Sequence, residues 1–192
     1  MIKRQSLLNL VAASAFVLVG SFGQASILFG PAARYSTVKT TDQTSFAGGT
    51  GESSVLAADA HLGILIEGTP IYIGGIYSYE ATTSGSTDKM NGTNYGASVG
   101  YYQGAFSLIG TYLLGAERTY KSGNAEAKLS SGTGYRVDLA YVAGLTPSIG
   151  LGPQLTYSSM KFSKSTPSGG VESSNTYEVV RLDPSIVLWF RF

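Results

Sequence analysis

From Val180 to the final Phe192 every second residue is apolar: Val180, Leu182, Pro184, Ile186, Leu188, Phe190 and Phe192 alternate with Arg181, Asp183, Ser185, Val187, Trp189 and Arg191. Only an extended strand sends successive side chains to opposite faces, so this stretch is a β-strand with one wholly apolar face and one mixed face. Such a strand needs an apolar environment along its full length on one side and room for charge on the other. Few folds supply both.

The same alternation recurs seven more times. Tyr135, Val137, Leu139, Tyr141, Ala143 and Leu145 interleave with Arg136, Asp138 and Ala140. Ile149, Leu151, Pro153, Leu155 and Tyr157 interleave with Gly150, Gly152, Gln154, Thr156 and Ser158. Phe106, Leu108, Tyr112, Leu114 and Ala116 stand against Ser107, Ile109, Thr111, Leu113, Gly115 and Glu117. The spacing predicts strands over 27–40, 53–66, 70–84, 92–102, 105–121, 127–145, 148–164 and 174–192, with the first the weakest. Very short connections at Glu67-Gly68-Thr69, Gln103-Gly104 and Thr146-Pro147 alternate with longer stretches rich in Gly, Ser, Thr and Asn (41–52, 86–91, 122–125, 165–173). Short turns at one end and longer loops at the other describe a transmembrane β-barrel. The expectation is therefore an all-β, eight-stranded, antiparallel up-and-down transmembrane barrel over residues 26–192, with short periplasmic turns and longer extracellular loops.

Composition fits a lipid-facing exterior. Charged residues make up 13% of the chain and the formal net charge is +1, where soluble domains carry roughly 25% charged residues. So weak a field argues against a nucleic-acid partner. Zero cysteines exclude disulfides, thiolate metal sites and cysteine nucleophiles, and the single His61 leaves little for a histidine metal site, so no cofactor and no metal are expected. Residues 1–25 read as a cleaved secretory signal peptide: Lys3 and Arg4, an apolar stretch from Leu7 to about Gly20, then small residues at Gly23-Gln24-Ala25. That stretch is shorter than the ~20 residues that span a bilayer comfortably, and no later run is long enough for a transmembrane helix.

Tyrosine placement says which face is out. Tyr77, Tyr79, Tyr95, Tyr112, Tyr135 and Tyr157 all fall on apolar faces, about 8 to 11 residues from the nearest short turn. At ~3.3 Å per residue and a tilt near 40° that is a height of roughly 20 to 27 Å, the top of an apolar band about 25 Å tall. They form one aromatic girdle; Tyr101, Phe106, Phe190 and Phe192 form the other. The opposite faces then fill the lumen and bring together Arg34, Asp59, His61, Glu80, Glu117, Arg136, Asp138, Arg181 and Asp183. Closure in lipid requires the last strand to pair with the first, which sets Arg181 and Asp183 beside Arg34. Five acids against three arginines call for a protonated His61 to supply the balance. Inward glycines (Gly63, Gly74, Gly96, Gly100, Gly115, Gly150, Gly152) leave space that water could occupy.

Across 27–192 the chain resembles the small eight-stranded outer-membrane barrels of Gram-negative bacteria, of the outer membrane protein A and X type. The most specific element is the C-terminal strand, where Leu188, Phe190 and Phe192 resemble the signal read by the outer-membrane assembly machinery. The resemblance implies the cell outer membrane as location, outer-membrane lipid and lipopolysaccharide as surroundings, and a monomer. It also implies a structural or surface-interaction role without enzymatic activity, the loops over 41–52 and 83–94 offering contact surfaces to an extracellular partner. A narrow pore and a transporter of small hydrophobic molecules are the alternatives. Some small barrels edit lipid A with a His, a Ser and an acid, and here His61 shares the lumen with Ser78, Ser98, Ser107 and Ser158; neither motif of those enzymes is present. Asp59 and His61, two residues apart, are a weak metal pair.

Overall fold

The computed structural model describes residues 25–39, 52–84, 88–123, 125–167, 170–174 and 176–192. The signal segment before Ala25 and almost all of the first loop lie outside them. The strands are β1 (Ser26–Lys39), β2 (Glu52–Leu65), β3 (Ile71–Ser84), β4 (Asp88–Gln103), β5 (Phe106–Ser122), β6 (Ala125–Tyr141), β7 (Ala143–Thr146), β8 (Ile149–Pro167) and β9 (Tyr177–Arg191). Consecutive strands pair antiparallel except β6 with β7, both of which pair with β8, and β1 pairs with β9, so the sheet closes on itself. β6 and β7 are two parts of one stave, which makes eight staves.

Proline chemistry explains the broken stave. The β6–β8 ladder ends at Ala140↔Gln154 and resumes on β7 at Ala143↔Leu151. Of the two skipped positions, the first sets Tyr141 opposite Pro153, which has no N–H to donate. The Val142 N–H points to the other side and donates to the Ala105 carbonyl (2.6 Å) in the neighbouring turn.

The predicted two-level loop pattern is realised differently from expectation. β4 begins at Asp88 and β5 runs to Ser122, so the connections after β3 and β5 are tight and the strands themselves rise above the girdle. The 83–94 contact surface is thus mostly strand.

A β-bulge corrects the predicted faces of β5. Tyr95 pairs with Gly115 but Gly96 pairs with Leu113, leaving Leu114 as an extra residue. Leu114 and Gly115 both face outward, and the Tyr95 ring lies where a Cβ on Gly115 would stand. Beyond the bulge the alternation is inverted: Ala116 and Arg118 are buried in the lumen while Glu117 is outside. A compensating bulge in β6 leaves Ser131 at φ 54° and restores the register by Arg118↔Leu129.

Apolar side chains fill both ends of the lumen. Near the short turns Leu28, Leu65, Tyr72, Ile109, Val142, Val187 and Trp189 pack together. Toward the loop end Ile76, Leu113, Ala116, Met160 and Phe162 form a second cluster, with Leu129, Tyr177 and Val179 against it. The inward glycines hold rings and side chains, not open space. Trp189 lies on Gly30, Tyr72 on Gly63 and Gly74, Ile109 on Gly100 and Val142 on Gly150, each so close that a Cβ there would collide.

Candidate functional site

Between and beside the two clusters, eight charged side chains alternate in sign along one connected path. Arg118 and Arg181 both pair with Glu80. Arg181 Nη2 lies 3.2 Å from Asp183 Oδ2, and Arg34 Nη1 donates to the same oxygen at 2.8 Å. Arg34 Nη2 also donates to Asp59 Oδ1 (3.1 Å), and Arg136 Nη2 to Asp59 Oδ2 (2.7 Å). Arg136 Nε ends the path on Asp138 Oδ2 (2.8 Å). Thr156 Oγ1 and Gln154 Nε2 donate to Asp138 Oδ1 at 2.6 and 3.1 Å, and Ser78 Oγ accepts from Arg136 Nη1 at 3.2 Å. The path links β5, β3, β9, β1, β2 and β6, so it ties opposite walls of the barrel together.

All eight are almost wholly withdrawn from solvent, the least buried being Arg181 with 10% of its side chain exposed. Burial on this scale is tolerable only where every charge meets its opposite and the spare lone pairs are bonded. Four carboxylates here meet four guanidiniums.

Eight of the nine charged or titratable residues read from the sequence as luminal are buried in the lumen: Arg34, Asp59, His61, Glu80, Arg136, Asp138, Arg181 and Asp183. Glu117 is not. It stands outside, half exposed, and accepts an ion pair from Lys128 Nζ at 2.9 Å. Sequence reasoning missed Arg118, which takes the inward place and lies over the Phe162 ring at 5.6 Å. The signal that could have found it is Leu114-Gly115, adjacent residues next to a run of alternation that fails just beyond them. Exchanging one acid for one base also removes the charge excess that called for a protonated His61.

His61 is fully buried, its ring 5.6 Å from that of Trp189. Its Nε2 is 3.8 Å from Asp138 Oδ2, and neither ring nitrogen has a hydrogen-bond partner. Of the four inward serines, Ser78 is engaged with Arg136 and Ser98 with Thr111 (2.8 Å), and none bonds to a ring nitrogen of His61. The Ser, His, acid arrangement is therefore not assembled among the described residues. No group of three or more metal-ligating side chains occurs among them either.

The six tyrosines Tyr77, Tyr79, Tyr95, Tyr112, Tyr135 and Tyr157 all point outward, and Tyr135 and Tyr157 touch with ring centroids 6.0 Å apart. Tyr35, 65% exposed, extends the set onto β1. Leu188 and Phe190 share the outer face of β9, and Phe190 is stacked between Phe29 and Phe192, the residue just after the strand.

No protein-family model matches the chain, and no curated protein does. Among solved structures it is similar to Neisserial surface protein A (13% identity, 88% of this chain and 100% of that one, TM-score 0.52). The fold is that of an eight-stranded outer-membrane β-barrel. Weaker similarity extends to the translocator domain of the autotransporter NalP from Neisseria meningitidis (12% identity, 94% of this chain, 68% of that one, TM-score 0.44) and to a major outer membrane protein from Thermus thermophilus (14%, 88% and 100%, TM-score 0.42). Within this eight-stranded barrel the short-turn end opens into a vestibule of about 440 Å³, bounded by the three tight turns with Trp189, Tyr102 and Val142 among its lining residues.

Proposed function

We propose that the chain is an integral barrel of a Gram-negative outer membrane whose lumen is a closed charged plug and whose role is structural or surface-interactive, not enzymatic. The observation that carries this reading is the balanced path of eight charges lying between two packed apolar clusters. An eight-stranded barrel is just wide enough for side chains to fill, and here they do. Export by a signal peptide cleaved after Ala25, assembly through the β9 signal at Leu188, Phe190 and Phe192, and a monomer surrounded by lipopolysaccharide complete the proposal. Refolded protein in a planar bilayer is expected to give no steady conductance; a stable, ion-selective current overturns the plug and establishes the narrow pore.

The wall above the girdle favours surface contact. On β5, β6 and β8, Lys121, Lys128, Lys161 and Lys164 form ion pairs with Glu126, Glu117, Glu178 and Glu172 at 2.8 to 3.7 Å, all about half exposed. Exposed pairs contribute little to stability, ~0 to 1 kcal/mol each, so their place is better explained by what meets the surface. Loss of cell-surface binding on deletion of 42–51, with the barrel still folded, supports a loop-borne partner, whereas unchanged binding counts against it.

A further inference from the structure

Two charges stand apart from the pairing found in the rest of the barrel. Each luminal arginine meets a carboxylate, and so do Lys121, Lys128, Lys161 and Lys164 on the outer wall. Glu67 and Arg191 form no ion pair among the described residues, although both line the vestibule at the short-turn end. Arg191 engages only its Nε, which donates to Ser26 Oγ at 3.1 Å, and the donors on its terminal nitrogens stay available. A carboxylate and a guanidinium on one rim, each without a partner, complement a molecule that carries both charges.

The floor between them is apolar and aromatic. Leu65, Val142 and Trp189 are buried there, and the Tyr102 ring stands edge-on to Trp189 with centroids 5.7 Å apart. One polar atom of this floor has no partner: the indole N–H of Trp189, a side chain only 1% exposed. The six-membered ring of that indole covers Gly30 with Cε3, Cζ3 and Cη2, so the N–H sits at the other end of the ring system. An unpaired buried donor is costly, and a carbonyl oxygen seated in the vestibule removes that cost.

Other polar groups of the turns are already used. Thr69 Oγ1 donates to the Ile66 carbonyl at 2.9 Å, Thr146 Oγ1 accepts from the Ser148 N–H at 3.2 Å, and Gln103 Oε1 accepts from the Tyr101 hydroxyl. A neutral glycan would find few partners here and leave both charges unmet. Spacing narrows the class further. Arg191 is level with Leu28 of β1, and Leu28 with Gly63 of β2, the strand that ends at Leu65 just before Glu67. Adjacent strands lie about 4.8 Å apart, so the two charged residues are anchored on staves roughly 10 Å apart. A single amino acid holds its ammonium and carboxylate on one carbon and cannot reach both. Two or three extended residues, at ~3.3 to 3.6 Å each, span about 7 to 11 Å. The vestibule, at about 440 Å³, falls within the size of small-molecule sites, about 300–1,000 Å³.

We propose that the vestibule binds short zwitterionic peptides of two or three residues, with the ammonium on Glu67, the carboxylate on Arg191, an apolar side chain against Leu65, Tyr102 and Val142, and a peptide carbonyl on the Trp189 N–H. The site goes beyond the plug and does not depend on it, since the ligand enters and leaves by the turn end while the lumen stays shut. Trp189 is the sole tryptophan, so its emission in protein refolded into detergent micelles reports on this floor alone. Titration with the tripeptide Ala-Leu-Ala is expected to shift that emission saturably. The N-acetylated and the C-amidated forms of the same peptide each bind about fivefold more weakly, the worth of one half-exposed ion pair. Glu67→Gln abolishes the discrimination against the acetylated form and keeps that against the amide; Arg191→Gln does the reverse. The heat-modifiable band in gel electrophoresis shows that each variant is folded, and the blocked peptides test the wild-type chain with no substitution at all. No saturable shift with the free peptide, equal affinity for free and blocked forms, or an equal response to an uncharged disaccharide overturns the site. Steady conductance in a planar bilayer overturns the plug and leaves the peptide titration unaffected.

Discussion

Arg136 holds the central place in the lumen because its guanidinium satisfies two carboxylates and a serine at once, Asp59, Asp138 and Ser78. Removing one partner of a buried ion pair leaves the other uncompensated, at about 3–5 kcal/mol. Arg136→Leu is expected to lower unfolding stability in urea by that amount, read by tryptophan fluorescence of Trp189 in vesicles. Arg136→Leu/Asp138→Leu should recover at least half of the loss, since Asp59 keeps Arg34. A double variant no better than the single one contradicts the shared ionic path. Glu117 makes the contrast: paired with Lys128 in solvent, it is expected to cost under about 1 kcal/mol as Glu117→Gln by the same assay. Arg136 and Glu117, on neighbouring strands, thus differ severalfold in worth, because one is buried and the other is not. Alternation alone gave both the same inward place.

What reversed Glu117 and Arg118 is the bulge in β5, a property of the element. Deleting Leu114 removes the extra residue and sets Gly115 next to Leu113, which keeps Ala116 and Arg118 inward and Glu117 outward in an unchanged register with β4. The deletion is therefore expected to keep the heat-modifiable folded band in gel electrophoresis. Exchanging the charges instead, Glu117→Arg with Arg118→Glu, sets an acid against Glu80 and should abolish the band; a band that persists argues that the sign of the charge at this place does not matter. Most of the element level was legible in the sequence. Strand faces of β1, β2, β3, β4, β8 and β9 follow from period-two alternation, and the break between β6 and β7 follows from Pro153 once the register is known. The bulge was not legible, because a single inserted residue leaves composition and apolar content unchanged and shifts only phase. Neither was the height of the hairpins after β3 and β5, since Ser, Thr, Asn and Gly suit exposed strands above the membrane as well as loops.

At the scale of the whole molecule, closure in the lumen is layered. Trp189 and Tyr72 seal the vestibule end, the ionic path ties the walls, and Phe162 and Met160 seal the loop end. Trp189→Ala alone is therefore expected to leave a planar bilayer silent, although it opens a cavity and costs about 3–5 kcal/mol of stability. Sustained current from that single change means that the ionic path is no barrier. Taken by itself, the sequence determined the class of environment and the architecture: eight amphipathic strands, apolar on one face at membrane length, have no low-energy arrangement in lipid other than a closed barrel. It also determined which residues share the lumen wherever alternation is unbroken. Only the tertiary structure decided who pairs with whom there, that four acids meet four bases, that inward glycines lie under rings, and that Asp183 of the last strand bonds to Arg34 and Ser36 of the first. Those outcomes depend on register between strands far apart in the chain, and a change of one residue in phase, invisible in any local pattern, exchanges the inside for the outside.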